Sequence, residues 1–112
     1  MNAKIKLLLE LAARAIGLDI QWDATANGFI KLDETGIDVS SWNPWDDDGD
    51  AFRLLASSKL SLDFNKVRQE FVCADFRCGN PIVFNEHVGT GYNAAARHVV
   101  VQAVAQKGEV MK

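Results

Sequence analysis

At 112 residues, 48% hydrophobic and 24% charged, the chain has the size of one domain, spanning 1–112, that buries roughly two-thirds of its unfolded surface. No apolar run approaches the ~20 residues that cross a bilayer, which argues against a membrane partner. The net charge of −3 conceals seven acids between Asp33 and Asp50, with no Lys or Arg among them. Twelve basic residues against the eight remaining acids leave the rest of the chain at +4. Those cations are scattered and lack the clustered footprint that direct nucleic-acid binding needs.

The opening MNAKIKLLLELAARAIGL has the outline of a secretory leader, but Glu10 and Arg14 interrupt its apolar stretch. A helix from about Ala3 to Ile16 is expected instead. Ile5, Leu8, Leu9, Ala12, Ala15 and Ile16 follow the 3.6-residue period, Asn2 can cap the start, and Gly17 can close the end. Leu7 and Leu11 widen the apolar face, which predicts more than one packing neighbour. Next, 18-LDIQWD-23 and 29-FIKLD-33 read as a hairpin joined through 24-ATANG-28, where Asn27-Gly28 supplies positive φ. The segment from Glu34 to Ser41 reads as an acidic loop in which Ile37 and Val39 offer a short edge strand.

A second helix is expected over Asp48 to Ser58, with Ala51, Leu54, Leu55 and Ser58 on one face. The run 60-LSLDF-64 alternates as a strand with one wet face does. By contrast, 71-FVCA-74 and 82-IVF-84 are continuous apolar runs of the kind covered on both faces, joined by a turn at 77-RCGNP-81. A last helix, about Asn93 to Lys107, carries Ala96, Val99, Val100 and Ala103 inward and stops at Gly108. The expected class is α+β: one three-layer α/β/α sandwich with a mainly antiparallel sheet, in the order α-β-β-α-β-β-β-α.

One stretch carries more than architecture. Trp42-Asn43-Pro44, then Asp46-Asp47-Asp48-Gly49-Asp50-Ala51, then Arg53-Leu54 resemble the signature of small phage and prophage proteins, in which a W-N-P turn leads into D-A-x-x-L on a helix. The chain of such proteins ends in an Ala-rich helix carrying an Arg, which Ala96-Arg97-His98-Val99 and Gln102-Ala103 resemble. The family is the phage ABA-sandwich type, whose molecular function is unknown. The resemblance implies a fold and a phage or prophage context, hence the cytoplasm of an infected or lysogenic bacterium. It implies no reaction.

Several constellations could carry chemistry. DDDGD is not an EF-hand: with Gly49 at the sixth loop position, the first would be Pro44 and the twelfth Leu55. Asp47-x-x-Asp50 resembles a capping box, and the neighbouring acids suit the positive end of a helix. Cys73 and Cys78 have no second pair to complete a zinc site, so they are expected as reduced thiols. A Cys–His nucleophilic pair with His87 or His98 is one enzymatic alternative. The loop 89-GTGYN-93, with Asn93 as a helix cap, lacks the pattern and the lysine of a phosphate-binding loop, although small-ligand or nucleotide binding is the first alternative, ahead of the Cys–His enzyme.

The leading expectation is a non-enzymatic accessory protein that binds a host or phage protein with a basic surface, inhibition of a bacterial defence system being one specific form. No catalytic residue, metal or cofactor is assigned. Trp45, Asp46, Asp48 and Asp50 are the expected partner surface, facing outward. Trp42, Asn43 and Pro44 fix the turn, and Asp47 caps the helix.

Overall fold

The computed structural model describes residues 1–32, 39–75 and 82–110, and shows an α+β protein. Helix α1 (Ala3–Ile16) is followed by strands β1 (Ile20–Asp23), β2 (Gly28–Leu32) and β3 (Val39–Trp42). Helix α2 (Asp48–Ser58) leads to β4 (Ser61–Asn65), β5 (Glu70–Asp75) and β6 (Ile82–His87), and a short 3₁₀ turn precedes α3 (Tyr92–Val110). Both sheets are three-stranded and antiparallel, β1-β2-β3 and β4-β5-β6.

Two expectations change here. The order gains a strand before α2, because the short edge strand anticipated around Val39 forms and continues to Trp42, pairing with β2 and carrying the chain into the W-N-P turn. The described strands also form two sheets rather than one. Ile37, Cys78 and the turn at 77–81 lie outside the described residues.

The caps of α1 follow the sequence closely. Asn2 Oδ1 accepts from the amides of Lys4 and Ile5, and Gly17 takes the left-handed conformation at φ 69°. Leu9, Ala12 and Ala13 form the buried face of α1, which packs on both α3 and α2 as its wide apolar face suggested, while Leu7 is exposed. In the hairpin, Asp23 Oδ1 accepts from the amides of Thr25 and Ala26, and Asn27 alone takes positive φ, at 51°. Gly28 is instead the first residue of β2, opposite Asp23. Trp22 meets its cross-strand partner Phe29 edge to face at 5.2 Å, and Lys6 Nζ lies 4.2 Å from the Trp22 ring centre.

Register places Leu62, Cys73 and Phe84 side by side, and Phe64, Phe71 and Glu86 beside them. Ile82, Phe71, Cys73 and Phe84 therefore share the face that packs into the core. The other face is covered only in part: Ala74 of β5 is buried and Val72 half-buried, whereas Ser61, Asp63, Val83, Asn85 and His87 of the flanking strands are exposed. β6 in fact alternates through Asn85 and His87, so its pattern extends beyond the apolar triplet.

Helix α3 is the centre of the molecule, packing on α1, α2, β5 and β6. Val99, Val100, Val101, Ala103, Val104 and Ala105 are all buried, so the helix is covered by protein around most of its circumference. Gly108 does not stop it. The helix runs on to Val110, and Gly108 sits where a Cβ would fall 1.9 Å from the Leu11 carbonyl oxygen of α1. Glycine is what lets the two backbones touch. Nearby, Lys107 Nζ donates to the Ser58 carbonyl at the C-terminus of α2 at 3.2 Å and lies 3.9 Å from buried Asp75.

Candidate functional site

The W-N-P turn is built from its own side chains. Asn43 Oδ1 accepts from the amides of Trp45 and Asp46, closing an Asx turn, while Pro44 fixes the φ that the turn needs. Trp42 and Pro44 are buried, as expected of the residues that set the turn. Asp47 is the N-cap of α2: its Oδ2 accepts from the Asp50 amide at 2.8 Å.

Asp50 departs from its expected outward position. It is 6% exposed, and its carboxylate accepts from the Asn43 amide at 2.9 Å and from Arg53 Nη2 at 2.6 Å. The reason is geometric. Asp50 lies beside Ala51 on the inward side of the first helical turn, where its carboxylate reaches back to the strand end that enters the turn. Trp45 also differs from expectation. Instead of projecting outward, its ring stacks on His98 of α3, with centroids 3.8 Å apart and planes at 12°.

The turn is further held to α3 by charge. Arg97 donates through Nε to the Trp45 carbonyl at 2.9 Å and through Nη1 to Asp48 Oδ1 at 2.6 Å, while Asn93 Nδ2 donates to Asp48 Oδ2. Asn93 is thus a cross-helix contact and not the helix cap anticipated for it. The W-N-P turn and the Arg97–His98 segment of α3 therefore meet in space, joined through Trp45 and Asp48.

What remains on the surface is narrower than the sequence suggested. Asp46, Asp47 and Asp48 are exposed, and Phe52, one turn along α2, is 70% exposed. Beside Phe52 runs a groove of about 320 Å³ between α2 and α3, floored by Ala51, Leu55, Leu62, Ala96 and Val100. Phe52 was detectable in advance, because placing Ala51, Leu54, Leu55 and Ser58 inward turns position 52 to solvent.

Across α3 lies a larger cleft of about 580 Å³, between α1, α3 and β6. Trp45, His98, Phe84, Glu86 and Gln102 line it. Burial lowers the pKa of His98 below 6.5, opposed by the nearby charges of Glu86 and Asp46 and reinforced by Arg97. The Cys73 thiol is fully buried in β5 and desolvation pushes it up to about 12, so it is no thiolate at neutral pH. His87 Nδ1 accepts from the Gly89 amide and shapes the 3₁₀ turn, in which the glycine loop serves as a connection. Among the described residues, no group of three or more His, Cys, Asp or Glu side chains is arranged to hold a metal ion, and no helix is long and apolar enough to cross a membrane. No family model, curated protein or solved structure matches the chain.

Proposed function

We propose that this chain is a non-enzymatic accessory protein of the phage or prophage kind, acting in the bacterial cytoplasm by binding a host or phage protein with a basic surface. The observation that carries this reading is the exposed Phe52 next to the acidic first turn of α2. An aromatic ring standing in water beside an apolar groove is the type of group that anchors a partner. Asp46, Asp47 and Asp48 would steer a basic partner toward it and repel phosphate backbones. Inhibition of a bacterial defence system is one form such binding could take. Trp45 and Asp50 pass from the contact surface to its support, since they hold the turn on α3 and on Asn43.

Affinity purification from a bacterial host with the unaltered chain, Phe52→Ala and Asp46→Asn tests the proposal. A partner retained by the unaltered chain should be lost with Phe52→Ala at unchanged melting temperature, and should associate more slowly with Asp46→Asn. Equal retention by a folded Phe52→Ala variant would move the binding face elsewhere.

A further inference from the structure

The cleft between α1, α3 and β6 contains a residue that the fold does not call for. Along β6, Ile82, Phe84 and Glu86 point the same way, into the core-facing side of the sheet. Glu86 stands opposite Phe71 in the register and is half-buried. A strand position with apolar neighbours on its own face ordinarily takes an apolar side chain, and a carboxylate there costs desolvation. Among the described residues the Glu86 carboxylate has no hydrogen-bond or ion-pair partner. Its charge is felt by His98, the other titratable group on that wall of the cleft, whose pKa burial lowers below 6.5.

The walls supply the rest of a site. Ile5 and Leu8 of α1 and Phe84 of β6 are apolar, and the stacked Trp45–His98 pair also lines the cleft. Gln102, one turn beyond His98 on α3, adds an amide that both donates and accepts. Lys4 on α1 and Glu109 on α3 oppose each other in sign along the lining. A volume of about 580 Å³ is in the range of small-ligand sites, which are mostly apolar with a few convergent polar groups.

We propose that this cleft binds an organic cation carried on an apolar stem, an alkylguanidinium or alkylammonium, with Glu86 as its counter-ion. The stem lies against Ile5, Leu8 and Phe84, and the charged head meets the Glu86 carboxylate and the Gln102 carbonyl. A cation is favoured over an anion because the half-buried charge in the cleft is negative. This site is separate from the Phe52 surface, and neither reading rests on the other.

Titration followed by NMR tests it, with the indole N–H of Trp45 as reporter, assigned by its loss in Trp45→Phe. Agmatine stands for a free cation, N-acetyl-arginine methylamide for an arginine within a polypeptide, and N-butylurea for an uncharged control. Both cations should shift the Trp45 signal saturably, and N-butylurea should not. Tighter binding of the blocked arginine would assign the site to a protein side chain, and tighter binding of agmatine to a free metabolite. Glu86→Gln should weaken cation binding at least about tenfold, whereas Glu10→Gln on the exposed face of α1 should leave it unchanged. No saturable shift, equal binding by a folded Glu86→Gln variant, or an equal response to the urea would each overturn the proposal. Should Glu86→Gln fail to fold, the comparison of guanidinium with urea in the unaltered protein still decides.

Discussion

The two tryptophans of the W-N-P turn separate stability from interaction. Trp42 is 3% exposed and faces Phe29 across the strand pair, so Trp42→Ala should cost about 3–5 kcal/mol in a denaturant titration. Trp45 has given part of its surface to the ring of His98. That partnership has a pH signature. Burial holds the folded-state pKa of His98 below 6.5, so on acidification the unfolded chain takes up its proton first. Stability linked to His98 is therefore full above 6.5, falls as pH drops from there toward the folded-state value, and levels off below it. Urea midpoints measured on both sides of that range should fall more steeply for the unaltered protein than for His98→Gln; parallel curves would refute the linkage. From the sequence alone, His98 was visible as a titratable residue on an apolar helix, but its stacking partner, more than fifty positions away, was not.

At the scale of elements, α2 shows which signals the sequence states openly. Its bounds, its N-cap and its inward face follow from Asp47 and from the spacing of Ala51, Leu54 and Ser58. Asp47→Ala should remove the bond to the Asp50 amide and cost about 1 kcal/mol, read as a shift in the denaturation midpoint with an unchanged slope. Lys59, by contrast, closes the helix in the left-handed conformation at φ 60°, a role that no local signal assigns to lysine. The strands divide in the same way. Alternation in β4 and the apolar runs of β5 and β6 located those strands, but three apolar residues in succession could not reveal that Val83 stands in water. Side-chain exposure depends on which face another element happens to cover. β3 was only partly legible: Val39 marked its start, but Ser40 and Ser41 have little strand character and become strand by pairing with Ile30 and Lys31. Asp50 teaches the complementary lesson: a run of aspartates looks uniform in sequence, yet one of them is turned inward by its place on the helix.

For the molecule as a whole, the α+β class was legible in the mixture of periodicities, while the division into two sheets was not. Sheet membership is a long-range property, set by pairings that no window of sequence contains. The same holds for the site, in which Asp48, Arg97 and Asn93 converge from two helices. Helix α3 makes these distant contacts mutually dependent, and Gly108 is their most sensitive point. Gly→Ala inside a helix ordinarily gains up to about 1 kcal/mol. Here the sign should reverse, because the new methyl would meet the backbone of α1 and not a side chain that could move aside. Gly108→Ala should lose about 2–3 kcal/mol in equilibrium unfolding, and a neutral or stabilising result would show that α1 and α3 can separate freely.

That backbone contact between α1 and α3 also bears on how the chain reaches its native state. The two helices lie at opposite ends of the described residues, with both sheets and α2 between them, yet each is the other's most extensive neighbour outside the sheets. During synthesis, Leu9, Ala12 and Ala13 emerge early and wait for their principal covering until α3 has been made. Local pairings such as the β1–β2 hairpin can form early, but they leave that apolar stripe in water. Closing so long a loop carries an entropic cost before any helix contact compensates it. Over that interval the stripe on α1 is the surface most open to misassociation, and the arrival of the last helix is what ends the exposure.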